Sequence, residues 1–145
     1  MSEDLRSLVE EILRHAYLLA LGVQDEDGPW VSSVIFVHDQ DFNIYWLSKE
    51  TTRHSKAVTT NAKAAGSIVA EHTKKKERAL QVEGKVEKIS GPLIEQEKAL
   101  RTKEGSAAPQ KAGETTAGHT WYKMTPTRIE LIYSERFGWE RKRVL

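Results

Sequence analysis

The sequence contains no cysteine. Disulfides, thiolate metal sites and thiol nucleophiles are thereby excluded, and the composition suits a reducing, cytoplasmic setting. An excess of either charge is also missing: 22 Lys and Arg stand against 21 Asp and Glu, for a formal net charge of +1. A dedicated nucleic-acid binder would carry a large basic excess, so no nucleic-acid partner is expected. Wholesale disorder is set aside because it calls for high net charge and low hydrophobicity together. No apolar run approaches the roughly 18 residues a membrane span requires, and the acidic start Met1-Ser2-Glu3-Asp4 is not a signal peptide. Gly-x-Gly, Gly-Lys-Ser/Thr and Gly-x-Ser-x-Gly do not occur. Their absence removes the dinucleotide fingerprint, the P-loop and the hydrolase nucleophile elbow. His15, His38, His54, His72 and His119 are too dispersed to form a local metal-ligating motif, so no metal is expected.

What remains suits one domain over residues 1–145, 39% hydrophobic and 30% charged. Leu5, Leu8, Val9, Ile12, Leu13 and Ala16 recur at helical spacing, with Ser2 placed to cap the start. Tyr17–Val23 and Trp30–Val37 read as a hairpin about the turn Asp25-Glu26-Asp27-Gly28-Pro29. Asn43–Ser48 reads as a third strand. Arg53–Thr60 reads as a short helix, offered N-caps by Thr51 and Thr52 and closed by Asn61. Lys63–Glu71 and the alternating Ala79–Ile89 read as a fourth and a fifth strand. Leu93–Arg101 is expected to be helical, Thr102–Gly118 a mobile loop or lid. Trp121–Met124 and Arg128–Tyr133 are expected to be two strands broken by Thr125-Pro126-Thr127, before a basic tail. The order predicts a mainly β (α+β) fold: six or seven mostly antiparallel strands closed into a small barrel with flanking helices, since closure removes exposed edges.

The densest polar cluster, residues 48–56 (SKETTRHSK), lies where the third strand feeds a helix N-terminus. Such an end offers unpaired N–H groups and partial positive charge to a phosphate. Thr51 and Thr52 add hydroxyls, Arg53 a bidentate fork, and His54 and Lys56 further donors. An ordinary capped helix with a solvated basic first turn is the alternative, although basic residues there oppose the helix dipole. Lys74–Arg78 reads as a solvated turn. The tail interleaves Phe137 and Trp139 with Arg136 and Arg141, a pattern that stacks on a planar ligand or docks as a C-terminal segment.

The run LLALGVQDEDGPWVSSVIFVHDQDFNIYWLSKETTRHSKAVTTNAKAAGSIV, the strand LQVEGKVEKI and the ending WYKMTPTRIELIYSERFGWERKRVL together resemble the pyridoxamine 5'-phosphate oxidase-like, FMN-binding split β-barrel superfamily, in a small bacterial branch. The resemblance implies a split β-barrel homodimer with FMN at the subunit interface and oxidoreductase chemistry on a small molecule or electron donor. It places the FMN phosphate at Thr52, Arg53 and His54, with His in place of the usual Lys. It runs the second strand, here Ser32, Ser33, Val34, Ile35 and Phe36, along the flavin ring, and brings Leu47 and Ser48 close to it. Gln81 stands for a glutamine on the long strand, and Trp139 and Arg141 for an aromatic and a basic residue supplied by the partner. The family oxidase's substrate-binding base falls at Val37, and its C-terminal Arg–His pair is missing, so vitamin B6 oxidation itself is not expected. A non-catalytic carrier of flavin, haem or a deazaflavin is the alternative.

Overall fold

In the computed structural model, which describes residues 1–107, 109, 116 and 118–145, the chain opens with helix α1 (Glu3–His15), capped by the Ser2 hydroxyl accepting from the Leu5 N–H. Strands β1 (Leu18–Asp25) and β2 (Gly28–His38) form a hairpin paired from Leu18↔Ile35 to Asp25↔Gly28. Its loop is only Glu26-Asp27, and Gly28 takes φ +112°, a conformation that glycine adopts at little cost. Strand β3 (Ile44–Ser48), helix α2 (Arg53–Thr60) and strands β4 (Lys63–His72) and β5 (Glu77–Ile89) follow. Then come α3 (Ile94–Glu104), β6 (Thr120–Tyr133), the single turn α4 (Ser134–Phe137) and β7 (Lys142–Arg143).

Every neighbouring strand pair is antiparallel, in the order β3-β2-β1-β4-β5-β6, and β3 pairs back onto β6. Six strands therefore close into a barrel, and β7 lies outside it on Glu130 and Leu131 of β6. The alternation in β5 explains which face is core: Leu80, Val82, Gly84 and Val86 point in, Gln81, Glu83, Lys85 and Glu87 out. Helix α1 adds Leu8, Val9, Ile12 and Leu13 to the same core, each burial contributing about 1.5–3 kcal/mol. Arg78 of β5 ties α1 to α4 through Glu11 (3.0 Å) and Glu135 (2.8 Å).

A smaller apolar cluster lies under α3. Leu100 packs there on Val37, Tyr45 and Trp121, with Ile35, Leu47, Ile89 and Leu93 around them. These side chains come from β2, β3 and β6, so α3 is fixed over that part of the wall. Its far end is held by Lys103, whose Nζ lies 3.7 Å from the Phe36 ring centroid and donates to the Leu13 carbonyl at 3.3 Å. Burial pushes this ammonium down to about 8.

Two expectations are corrected. Helix α3 runs on through Thr102, Lys103 and Glu104, because all three tolerate helix and the stop signal is Gly105 at φ +73°. Of the expected loop 102–118, residues 108, 110–115 and 117 lie outside the described residues, and so does the expectation of a lid there. Strand β6 is continuous through Pro126. The register shifts between Glu83 and Gly84, so that Thr127 has no opposite number and Pro126 faces Gly84. A bulge is where a sheet accepts proline. Of the two readings of the tail, the end of the chain takes the docked one: Val144 is buried and its N–H bonds the Ile129 carbonyl.

The bulge depends on Gly84 lacking a side chain, since a Cβ there would lie 2.9 Å from the Thr125 carbonyl carbon. Gly84→Ala is expected to lower stability by about 1–3 kcal/mol through overpacking, seen as a reduced urea midpoint with unchanged slope. An unchanged midpoint would show that β6 can shift without cost.

Candidate functional site

Strand β3 pairs with β6 along its whole length, from Ile44↔Met124 to Ser48↔Thr120. With β2 it pairs only at Phe36↔Trp46, Val37↔Tyr45 and His38↔Ile44. Continued, that register would set Ile35 against Leu47 and Val34 against Ser48, and there the ladder stops. The backbone groups on that edge have lost their strand partner, and a buried edge of this kind needs another donor or acceptor. A cavity of about 670 Å3 opens at this point, lined by Ser33, Val34, Ile35, Leu47, Ser48 and Lys49, by Thr52 and His54 of α2, by Leu100, Arg101 and Glu104 of α3, and by His119. Its size suits a cofactor-sized molecule.

The α2 end of the cavity is built by its cap. The Thr52 hydroxyl accepts from the Ser55 N–H at 3.2 Å, and the Thr52 carbonyl accepts from the Lys56 N–H at 3.0 Å. The N–H groups of Arg53 and His54 are left as the helix's orphan donors. His54 is 8% and Ser48 6% exposed, and Ser48 Oγ lies 2.8 Å from His54 Nε2. Burial lowers the His54 pKa below the ordinary value, so the ring is neutral at pH 7 and contributes a dipole rather than a charge. The cationic character of the lining comes from Lys49 and Arg101, set against Glu104.

Seven of the residues expected from sequence come together here: Ser33, Val34, Ile35, Leu47, Ser48, Thr52 and His54. The others lie elsewhere. Ser32 lies on β2 opposite Leu21 and is not in the lining. Thr51 and Arg53 line a neighbouring cavity, with Asp25, Glu26, Asp27 and Lys56. Arg53 gives a bidentate pair to Asp25, Nε–Oδ2 2.8 Å and Nη2–Oδ1 3.0 Å, and its guanidinium lies 4.5 Å from the Trp30 ring centroid. Gln81 lies on the outer face of β5, where its Oε1 accepts from Arg141 Nε at 3.2 Å. Trp139, 64% exposed, stands clear of the cavity. The sequence reading missed Lys49, Leu100, Arg101, Glu104 and His119 as lining residues. For α3 the available signal was the one-face spacing of Leu100, Arg101 and Glu104, hidden because the helix was ended at Arg101.

No protein-family model matches the sequence, and no curated protein matches it significantly. Solved structures do match. A Listeria innocua protein described as a candidate pyridoxamine 5'-phosphate oxidase superposes with a TM-score of 0.70 at 17% identity, over 88% of this chain and 98% of that one. The fold is the split β-barrel of pyridoxamine 5'-phosphate oxidase-like proteins. A protein named F420 reductase is similar at TM-score 0.65 and 19% identity, over 83% of this chain and 94% of that one. The haem storage protein HutZ of Vibrio cholerae is similar at TM-score 0.62 and 17% identity, over 85% and 91%. No helix among the described residues is long and apolar enough to cross a membrane.

The buried Ser48–His54 pair yields a pH dependence. Because folding depresses the His54 pKa, the unfolded chain takes up the proton first as pH falls. Its stabilising contribution is complete above the ordinary value of 6.5 and is lost as pH drops from there through the folded value. An NMR titration is expected to find the His54 ring titrating below the ordinary value of 6.5, and His54→Gln should reduce the stability lost as pH falls below that value. A ring titrating at the ordinary value would contradict the buried pairing.

Proposed function

We propose that this split barrel is an FMN-binding flavoprotein acting as an oxidoreductase on a small molecule, with its cofactor in the opening between β2 and β3. The observation that carries the reading is the interrupted ladder: Val34 and Ile35 face Ser48 and Leu47 across a cavity where strand pairing would otherwise continue. A planar heterocycle with donors and acceptors along its edge suits such an unpaired strand edge. Ser48, Thr52 and the N–H groups of Arg53 and His54 suit a phosphate, and Lys49 and Arg101 supply positive charge. The residues present therefore fit FMN in size and in donor chemistry. When bound, FMN supplies the redox chemistry, and the protein binds, orients and shields it. On this reading the β2 edge orients the ring, the α2 cap holds the phosphate, and Leu100 with the apolar cluster beneath α3 keeps water from one side.

A second copy of the chain completes the proposal. The outer face of β1, β2 and β4 leaves Leu18 45%, Val31 64% and Val69 46% exposed. Between them runs a shallow groove of small residues, including Ala20, Gly22, Ala65 and Ser67. A flat apolar face of this kind marks an interface. Strand β2 carries Val31 on that face and Ser33 and Ile35 into the cavity, so a partner seated there would border the ligand. On this reading Trp139 and Arg141, which stand clear of their own chain's cavity, would serve the partner's site.

The alternative reading is a non-catalytic carrier of flavin, a deazaflavin or haem. Its non-catalytic, haem-carrying form is supported by the occurrence of the same fold in a haem storage protein, while the protein named F420 reductase supports a deazaflavin in place of FMN. Competition among the three ligands and a test of NAD(P)H-driven turnover separate the readings.

The purified protein is expected to take up FMN with a dissociation constant in the micromolar range or below, and to run in light scattering at twice the 16.5 kDa chain mass. Val31→Arg should give the monomer and weaken FMN at least tenfold, roughly the loss of one well-made contact. Failure to take up flavin at micromolar concentration would overturn the reading.

A further inference from the structure

Arg53 occupies the position where a phosphate-binding guanidinium is expected, yet its fork is already filled. Both hydrogen bonds go to one carboxylate, Asp25 at the end of β1. Bidentate Arg–carboxylate and Arg–phosphate pairs use the same planar fork, so the Nε–Nη2 edge held by Asp25 is closed to a phosphate, and the pair already compensates the guanidinium's charge. The arrangement is held from several sides. Trp30 stacks against the guanidinium, and Asp27 adds attraction, raising the Arg53 pKa together with the Asp25 bond. Asp25 Oδ1 also accepts the Asp27 N–H at 3.0 Å, which fixes the carboxylate in its turn. Arg53 nevertheless sits between Thr52 and His54, two residues that line the ligand cavity.

We propose that Asp25 is a specificity-determining residue: it is an internal counter-anion that competes with a ligand's terminal phosphate for Arg53, and so sets how strongly the site distinguishes phosphorylated from unphosphorylated flavin. The inference rests on the flavin reading above. Charge gives the competition its direction. Lys49 and Arg101 against Glu104 leave the cavity lining with one formal positive charge, and His54 is neutral. A phosphate monoester carries close to two negative charges at pH 7. The α2 N-terminus offsets about half a charge. The shortfall is what the Arg53 guanidinium would supply, and Asp25 withholds it. Glu26 and Asp27 of the two-residue loop are exposed, so what opposes a shift of the Asp25 carboxylate is its own hydrogen bonds, to Arg53 and the Asp27 N–H, rather than packing of the loop.

The test compares FMN with riboflavin, which lacks only the phosphate, by fluorescence titration of the full-length protein. Asp25→Asn keeps the Oδ1 acceptor for the Asp27 N–H but turns an amide donor toward Arg53, which opens the fork without removing the turn. This variant is expected to bind FMN about tenfold more tightly, the scale of one hydrogen bond to a charged group, with riboflavin unchanged. Adding Arg53→Ala to Asp25→Asn should erase the gain, whereas Arg53→Ala in the wild-type chain should cost less than it does in the Asp25→Asn background. If the variants bind FMN but the FMN-to-riboflavin ratio does not move, or both ligands tighten equally, Asp25 is a structural partner of Arg53 and the proposal is overturned. If neither the wild type nor Asp25→Asn binds either flavin, the flavin reading itself falls and takes the proposal with it. Thermal melts of each variant identify any loss of fold, and Asp25→Ser, which keeps a turn acceptor with no group long enough to fill the fork, repeats the measurement if Asp25→Asn is unstable.

Discussion

The molecule depends on an unequal division of one short strand. All five residues of β3 are paired with β6, and this pairing closes the barrel. Only three of the five also pair with β2. Closure and opening are thus consequences of the same strand. The β3–β6 ladder holds Leu47 and Ser48 in place, and the parting of β2 at Val34 and Ile35 leaves a gap of fixed width between two rigid elements. Sites supported on strands are held more precisely than sites on loops. Helix α2 starts from the end of β3, so its cap is brought to one end of the gap by chain connectivity alone. Helix α3 covers the other side because Leu100 finds Val37, Tyr45 and Trp121 on the outer wall.

What could be read from the sequence follows the range over which each signal acts. The caps of α1 and α2 are local, and Ser2, Thr52 and Asn61 mark them in the structure as they do in the sequence. The alternation of β5 is local too, and its faces follow directly. Strand β6 could not be read correctly in the same way. Pro126 breaks a strand by local rules, and it is tolerated here only because Gly84, far away in the chain, leaves room for a bulge. The end of α3 was legible in Gly105 but was outweighed by the Gly, Ser, Ala and Pro that follow it. His54 was expected to add donor capacity or charge at the helix start, and burial lowers its pKa while Nε2 is taken up by Ser48, so it brings no charge there.

The same reasoning separates the parts of the site. Ser33, Val34, Ile35, Leu47 and Ser48 were named by the resemblance, and what brings them together is the point where the β2–β3 ladder ends, which no local pattern marks. Gln81, Trp139 and Arg141 were carried over by resemblance alone, and within one chain they sit on the outer face, where Gln81 and Arg141 bond each other. Lys49, Arg101 and Glu104 were not legible as a set, because what unites them is the docking of α3. That docking rests on a diffuse apolar contact and on Lys103, whose buried ammonium reaches the Phe36 ring and the α1 C-terminus. Neither leaves a compact motif.

The position of Arg53 shows why a motif and a contact are different kinds of statement. Thr-Thr-Arg-His puts a guanidinium next to two residues of the cavity, and sequence can say no more than that. Which anion the guanidinium meets is decided by Asp25, 28 residues upstream, and by Trp30 on the returning strand. A cation at the first turn of a helix is opposed by the dipole, and a carboxylate on the hairpin relieves that conflict within the chain. The relief has a consequence for recognition. The groups at this helix start already have internal partners: Thr52 Oγ1 donates to the Lys49 carbonyl at 3.0 Å, Ser48 pairs with His54, and the guanidinium pairs with Asp25. An anion there would be weighed against those partners, so that its affinity would report a difference between two sets of interactions rather than the strength of one.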